Sequence, residues 1–477
     1  MFEGVTSKVV DFTLRLEFDD LPRDVIDKTK LVLLDSIGCA FGGCVTDRAK
    51  LALELVEESG GNPQASIIGG RRTSYDRAAF ANAELITALD YDCLGPLKGQ
   101  HVTPYVTPPS LAMAEKTHAS GKELITALAL AHEIGGRFLG SLAAHRVPKE
   151  EPPYYEYYPR FSHAYTIFGG VAGACKVLGL NAEKTLNAFG IAGASAPVPA
   201  GVKWEFIHGP AIMVKFNAWA GWVSQLATVA ALLAEKGFTG DTTILDGDLG
   251  FWQIVGSPFF KVDILFGELG EVWFKDVEFK LYPVCGLNRA GIEGIRDIMH
   301  KHGIKPEEIE EIVIKADPFI QTPNRMMTEV ESFADMQYSN VNIFAVAAFY
   351  GDRPSPAWQM PVIYNDPKVR ALAQKVKIET YPRAEELITD ALKMEKPLAM
   401  NTIVEMNARG SRFVVEVSTP KGRPGNPITE TELIEKFKIN ASYSMLPSNR
   451  VEEILQTIGE LEELEDVTGL TRLLAIN

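Results

Sequence analysis

The sequence predicts a mainly α fold: a large all-α helical domain formed by both chain ends, with a smaller α+β domain inserted between them. Three observations carry this. Residues 1–265 run in periodic Leu/Ala/Val segments cut by Gly and Pro, as in "DVIDKTKLVLLDSIGCAFGG", "ELITALALAHEIGGRFLGSL" and "WVSQLATVAALLAEKGFTG". Between 266 and 424 the composition shifts to short alternating β-branched runs, "EVWFKDVEFKLYP", "IEEIVIKAD" and "NTIVEMNARGSRFVVEVSTPKG". Helical stretches such as "RAGIEGIRDIMHKHG" and "RAEELITDALKM" separate them, which is the alternation of an α+β unit. Residues 425–477 turn helical again, and a terminal segment of this kind returns to pack on the first domain.

Local signals place several element ends. Ser120 followed by Glu123 makes a capping box that opens one helix, and Thr429 with Glu432 opens another. Gly237 closes a helix. Arg409-Gly410 is the turn of a hairpin, and the turn-rich "KGRPGNP" marks the boundary near residue 424. The chain shows no internal repeat and no low-complexity tract.

Composition narrows the function. Of 477 residues, 46% are hydrophobic and 23% charged, which suits a folded globular protein rather than a disordered one. The formal charge of −15 disfavours nucleic acid and anionic membrane surfaces as partners, since phosphate binders need clustered positive charge. An anionic substrate would therefore require a local cationic pocket. Five cysteines are scattered without metal-binding spacing, which fits a reducing, cytoplasmic setting. The N-terminus "MFEGVTSKVVDFTLRLEFDD" lacks the apolar core of a signal peptide, and no run reaches the ~20 apolar residues that cross a bilayer.

No GxGxxG follows a strand, and GxxxxGK[ST], HExxH and GxSxG are missing, so neither a nucleotide, a metal nor a serine nucleophile is announced. What remains is a set of His, Lys and Asp residues beside Gly- and Pro-rich breaks, where loops hold functional side chains on a scaffold. The stretch "GQHVTPYVTPPSLAMAE" is the clearest example: His101, one of only eight histidines, stands just ahead of a threonine- and proline-rich stretch that runs into an apolar helix.

In order and spacing, "DLPRDVIDKTKLVLLDSIGCAFGG", "AAFANAELITALDYD", "HVTPYVTPPSLAMAE", "FSHAYTIFGGVAGACKVLGL", "GFTG" and "KLYPVC" resemble the MmgE/PrpD family across nearly the whole chain. The resemblance implies that the inserted α+β domain is a lid, that the protein is a homodimer, and that it acts on di- or tricarboxylates without metal or organic cofactor. It also implies the site residues. Asp90 stands at the first aspartate of the family's LD[FY]DD signature, and His101 and His163 stand at its two histidines. Lys215, with Lys203 as a rival, is the pocket lysine; Lys280, Cys285 and Arg289 follow from the "KLYPVC" segment and its sequel.

These residue types suit one chemistry. A proton α to a carboxylate is weakly acidic, so a base must be joined by cations that share the developing charge. Lys215, Lys280, Cys285 and Arg289 are the expected substrate-binding groups. His101 and His163 are the expected proton carriers, because imidazole both takes and returns a proton near neutrality, and Asp90 would orient or assist them. The expected reaction is a dehydratase-type elimination by a lyase; isomerisation or epimerisation, decarboxylation, and non-catalytic carboxylate binding are the alternatives. The family's "HALDFDDTH" reads "TALDYDCLG" here, so Thr87, Cys93 and Leu94 replace polar groups and a different substrate is expected.

Overall fold

Several helices of this chain begin where a side chain satisfies a free backbone N–H, as at Thr46, Ser120, Asn181 and Thr429. The structure is a computed structural model that describes residues 3–95, 99–196, 212–214, 219–271, 273, 276–394 and 398–476. Its principal N-terminal helices are α1 (Val5–Arg15), α2 (Arg23–Gly43), α3 (Asp47–Ser59), α4 (Tyr75–Thr87), α5 (Thr103–Thr117), α6 (Gly121–Ser141), α7 (Ile167–Val177), α8 (Ala182–Ser195) and α9 (Ala220–Glu235). Both expected capping boxes form: Ser120 at α6, and Thr429 at the helix Glu430–Ala441. The chain is mainly α, as its periodicity indicates.

Two apolar cores organise the molecule. One draws on residues from Val5 to Phe279 and again from Leu433 to Leu474, so both chain ends share it. Phe437 meets Phe41 of α2 edge-on at 6.0 Å, and Lys436 reaches Asp35 of α2 at 2.6 Å. The other core runs from Tyr282 to Ala408. It packs against a four-stranded sheet of β1 (Ile309–Ala316), β2 (Val376–Thr380), β3 (Thr402–Ala408) and β4 (Ser411–Val417), in the order β2-β1-β3-β4. β1 and β2 are parallel, joined by a helical crossover, and the other pairs are antiparallel. The β3–β4 hairpin turns at Arg409-Gly410, both at positive φ (52° and 68°), the backbone that a tight two-residue hairpin turn demands.

Two segments depart from the pattern read in the sequence. "EVWFKDVEFKLYP" forms no strand among its described residues; Glu278 makes a single antiparallel bridge to Leu94. A lone bridge leaves no sheet edge for alternation to serve. Conversely, Pro108 and Pro109 lie inside α5 rather than ahead of it. Proline has no N–H, so the carbonyls of Pro104 and Tyr105 lose their helical donors. The Ser224 hydroxyl, from α9, faces both carbonyl oxygens, at 2.8 and 3.3 Å. Close approach elsewhere depends on glycine: a Cβ on Gly169 of α7 would stand 2.2 Å from the Ala131 carbonyl oxygen of α6.

Among the described residues no single helix is long and apolar enough to cross a membrane; α2 and α3 together pass a length and composition test, but are bent by 89°.

Removing the shared donor tests the proline accommodation. Ser224→Ala is expected to lower unfolding stability by about 1–3 kcal/mol in urea titrations, the cost of buried carbonyls left without a partner. An unchanged midpoint would contradict this.

Candidate active site

Helix α4 ends at Thr87, and the carbonyls beyond it are captured one after another by side chains from distant parts of the chain. Gln337 Nε2 donates to Ala88 O at 2.8 Å, and Gln359 Nε2 to Leu89 O at 2.9 Å. Lys280 Nζ donates to Asp90 O at 2.7 Å, and Lys436 Nζ to Tyr91 O at 2.9 Å. The lysine on Asp90 also takes that residue's Oδ1 at 2.6 Å, and it is fully buried. Asp90 sits at φ 53°, a left-handed conformation that aspartate tolerates better than most residues.

Asp90, Tyr91 and Asp92 then alternate. The Tyr91 hydroxyl donates to Leu281 O at 2.7 Å, and its ring lies under the Lys436 ammonium at 4.0 Å. The two carboxylates meet His101, which the start of α5 brings back to them. His101 Nδ1 is 2.6 Å from Asp92 Oδ2, and Nε2 is 3.4 Å from Asp90 Oδ1. A carboxylate only accepts, so in the neutral ring the single proton belongs to the shorter contact, Nδ1 to Asp92, and Nε2 faces an Asp90 oxygen that the Lys280 ammonium already holds.

His163 opens a short 3-10 turn capped by Ser162. Its ring lies 5.2 Å from that of His101, edge to face. The backbone N–H of His101 donates to His163 Nδ1 at 3.3 Å, so in the neutral ring the proton is on Nε2. In their neutral forms the two imidazoles are thereby held in opposite tautomers, His101 with its proton on Nδ1 and His163 with its proton on Nε2.

His145, half-buried, adds a third imidazole 6.2 Å from His163. Burial pushes its pKa down to about 3, and the nearby Arg146 and Arg325 guanidiniums push the same way. Arg146 pairs with Asp317, and Arg325 lies over the Phe319 ring at 5.0 Å. Asp92, His145, Arg146 and Arg325 were not singled out from sequence. Asp92 had a signal, its i+2 spacing from Asp90; the others are joined to the site only by tertiary contacts.

The remaining expected residues are distributed differently. Arg289 is fully buried, with Nη2 on Glu278 and Nε donating to Gly286 O at 3.1 Å; Glu278 also accepts from Arg423 at 3.0 Å. Its guanidinium thus belongs to a buried ion triad behind the Leu94–Glu278 bridge. Cys285 is partly exposed at the cap of the turn Gly286–Asn288. Lys215 and Lys203 lie outside the described residues.

Asp90, Asp92 and His101 present donor atoms all within 4.8 Å of one another, a spacing that could admit a metal ion. Two of these donor atoms already have partners, since the Lys280 ammonium holds Asp90 Oδ1 and the His101 Nδ1–H holds Asp92 Oδ2. Behind this cluster, His132 bonds Leu128 O at 2.8 Å through Nδ1 and Thr103 Oγ1 at 3.3 Å through Nε2, and Thr103 meets Cys93 Sγ at 3.1 Å. Burial pushes His132 down to about 4 and Cys93 up to about 12, so this layer is neutral. A small cavity is lined by Lys28, Thr29, His132 and Trp273, and neither His101 nor His163 lines it.

Family models for the MmgE/PrpD N-terminal domain and the MmgE/PrpD C-terminal domain match residues 7–261 and 282–462. The chain belongs to the MmgE/PrpD family. It is 26% identical to cis-aconitate decarboxylase from Mus musculus, over 99% of this chain and 94% of that protein. The Homo sapiens cis-aconitate decarboxylase is also 26% identical, over 99% and 95%. One from Aspergillus terreus is 25% identical, over 99% and 96%.

The neutral, buried His132 makes stability depend on pH. In the unfolded chain its pKa is near 6.5, so the unfolded state binds the extra proton and stability is lost as pH falls from about 6.5 toward 4. Between pH 7 and pH 5 the wild type should lose roughly 2 kcal/mol more than His132→Gln in urea unfolding. Parallel losses in the two proteins would contradict the assignment.

Proposed function

We propose that this protein is a cofactor-independent lyase that moves a proton at the carbon α to a carboxylate of a small di- or tricarboxylate. One observation supports this most: two imidazoles in complementary tautomers lie beside a buried lysine–aspartate pair. In the proposed reaction His101 Nε2 takes the α proton, and Asp92 stabilises the imidazolium that forms. His163 Nε2–H donates to the oxygen on which charge builds, or to the departing group. In an elimination the C–H pair becomes the new C=C bond, the leaving group departs with its own pair, and the proton ends on His101. Lys280 keeps Asp90 in place and lends positive charge to the cleft, with Lys215 as a further substrate-binding cation.

Cys285 and Arg289 remain proposed substrate-side residues, Arg289 through its Nη1, which is buried and without a hydrogen-bond partner among the described residues. The domain reading is a helical domain over 1–265 and 425–477 with residues 266–424 as a lid. Homodimerisation is part of the same proposal; the exposed, stacked Trp219 and Trp222, 6.1 Å apart, favour a covered face.

Decarboxylation is the second reading, favoured by the names of the relatives. There the C–C bond to a carboxylate breaks, CO₂ leaves, and the carbanion takes its proton from an imidazole. Decarboxylation needs one protonation at carbon, and so does the reverse of the elimination, addition across the C=C bond of an unsaturated substrate, so either puts a solvent deuteron into the carbon skeleton.

Incubation with cis-aconitate and related polycarboxylates in D₂O, followed by NMR and mass spectrometry, tests this. Wild type should yield a product or exchanged substrate carrying one deuteron at carbon, and His101→Gln and His163→Gln should each lower the rate by roughly 10²-fold or more. Wild-type rates in either variant would remove that histidine from the chemistry, and binding without deuteration would favour a carboxylate-binding protein.

A further inference from the structure

Arg48 is an unusual residue for a helical core. It lies in the first turn of α3, 4% exposed, with Nε donating to Glu84 Oε2 at 2.7 Å. Its Nη1 and Nη2 are buried and have no hydrogen-bond partner among the described residues. Buried guanidinium donors are ordinarily all used, because each one left over costs free energy. The Tyr105 hydroxyl, from α5, is in the same condition.

The position of these groups is what gives the orphaned donors meaning. Tyr105 stacks on His163 at 6.3 Å. From His163 the contacts run to His145 at 6.2 Å, to Phe319 at 5.6 Å, to Arg325 at 5.0 Å and to the Tyr338 ring at 5.7 Å. Tyr338 and Tyr105 are both within electrostatic reach of the Arg48 guanidinium, which closes the circuit. Arg48 is thus linked to the histidines through one ring of contacts, with two donors unused.

Its partner is shared with a second positive group. Glu84 Oε1 accepts the backbone N–H of Gly221 at 2.7 Å, in the first turn of the 16-residue helix α9. The positive end of that helix offsets the carboxylate and leaves the guanidinium to attract an anion. A planar guanidinium with two donors free is matched by the two oxygens of a carboxylate, with the Tyr105 hydroxyl as a third donor.

We infer that Arg48, with Tyr105, binds a second carboxylate of the substrate, at the end of the cleft away from Lys280. This rests on the reading of the protein as a polycarboxylate enzyme and deepens it: the cleft takes a ligand with carboxylates at both ends, and Arg48 selects for the distal one. The function belongs to binding rather than to proton transfer.

The test is calorimetric titration with tricarballylate, which has three carboxylates, and with butyrate, which has one, on wild type and on Arg48→Gln. Because Arg48→Gln strands Glu84, the double variant Arg48→Gln/Glu84→Gln, which replaces the buried ion pair by an amide pair, is measured alongside, with circular dichroism to report folding. The expected result is tricarballylate binding to wild type and a Kd raised about 10-fold or more in both variants, the loss of a charge-assisted contact, with butyrate binding changed little. A Kd for tricarballylate within twofold of wild type in the folded double variant overturns the role of Arg48, as does no binding by wild type. Proton-exchange activity separates the two proposals. If wild type exchanges deuterium and the variant binds as tightly as wild type, Arg48 is structural and the enzyme reading stands. If wild type binds tricarballylate through Arg48 yet no polycarboxylate is deuterated, the site is a binding site and the enzyme reading falls.

Discussion

Four successive backbone carbonyls, Ala88 to Tyr91, each accept a hydrogen bond from a side chain far away in sequence, and the arrangement of the candidate site depends on this capture. A helix end leaves carbonyls without donors, and inside a protein each must find one. Here the donors are Gln337, Gln359, Lys280 and Lys436. The first two come from the stretch that builds the second core, Tyr282 to Ala408, and Lys436 comes from the C-terminal helix Glu430–Ala441. The loop is therefore a junction at which three separate parts of the chain are pinned to one another. It also holds a left-handed aspartate that an exposed loop would relax.

The pinning has chemical consequences. With Asp90 fixed by Lys280 and Tyr91 turned away, Asp92 is presented to His101, and a carboxylate–imidazole pair results in which the outer nitrogen is a base. The amide of the same His101 sets the tautomer of His163. One residue thus orients two imidazoles, one through its side chain and the other through its backbone. Around them stand groups with no charge to lend, His132, Cys93 and Thr103, and groups with fixed positive charge, Arg146 and Arg325. Two of the cations near the imidazoles are paired with acids, Lys280 with Asp90 and Arg146 with Asp317, in a chain whose overall charge is −15.

How much of this was legible in the sequence follows the range of the interactions. Capping boxes and the Arg409-Gly410 turn involve neighbours two or three residues apart and could be read directly. The helical periodicity carried the fold class for the same reason. Asp90, His101, His163 and Lys280 were reached by family resemblance, which carries tertiary information that residue types alone do not. Gln337, Gln359 and Lys436 act across 249, 270 and 345 residues, and nothing local marks a glutamine as a carbonyl clamp. His145 and Arg325 meet only because the two cores abut. The prolines of α5 misled in the other direction, since a serine 120 residues beyond the nearer carbonyl compensates for the donors they lack.

The central claim is that the pinned loop sets the two imidazoles in opposite tautomers, and histidine-selective ¹⁵N NMR reads this directly, with peaks assigned by His101→Gln and His163→Gln. At pH 9, where a free imidazole is neutral, the account predicts His101 protonated on Nδ1 and His163 protonated on Nε2. His163 carrying its proton on Nδ1, or His101 carrying its own on Nε2, would contradict it.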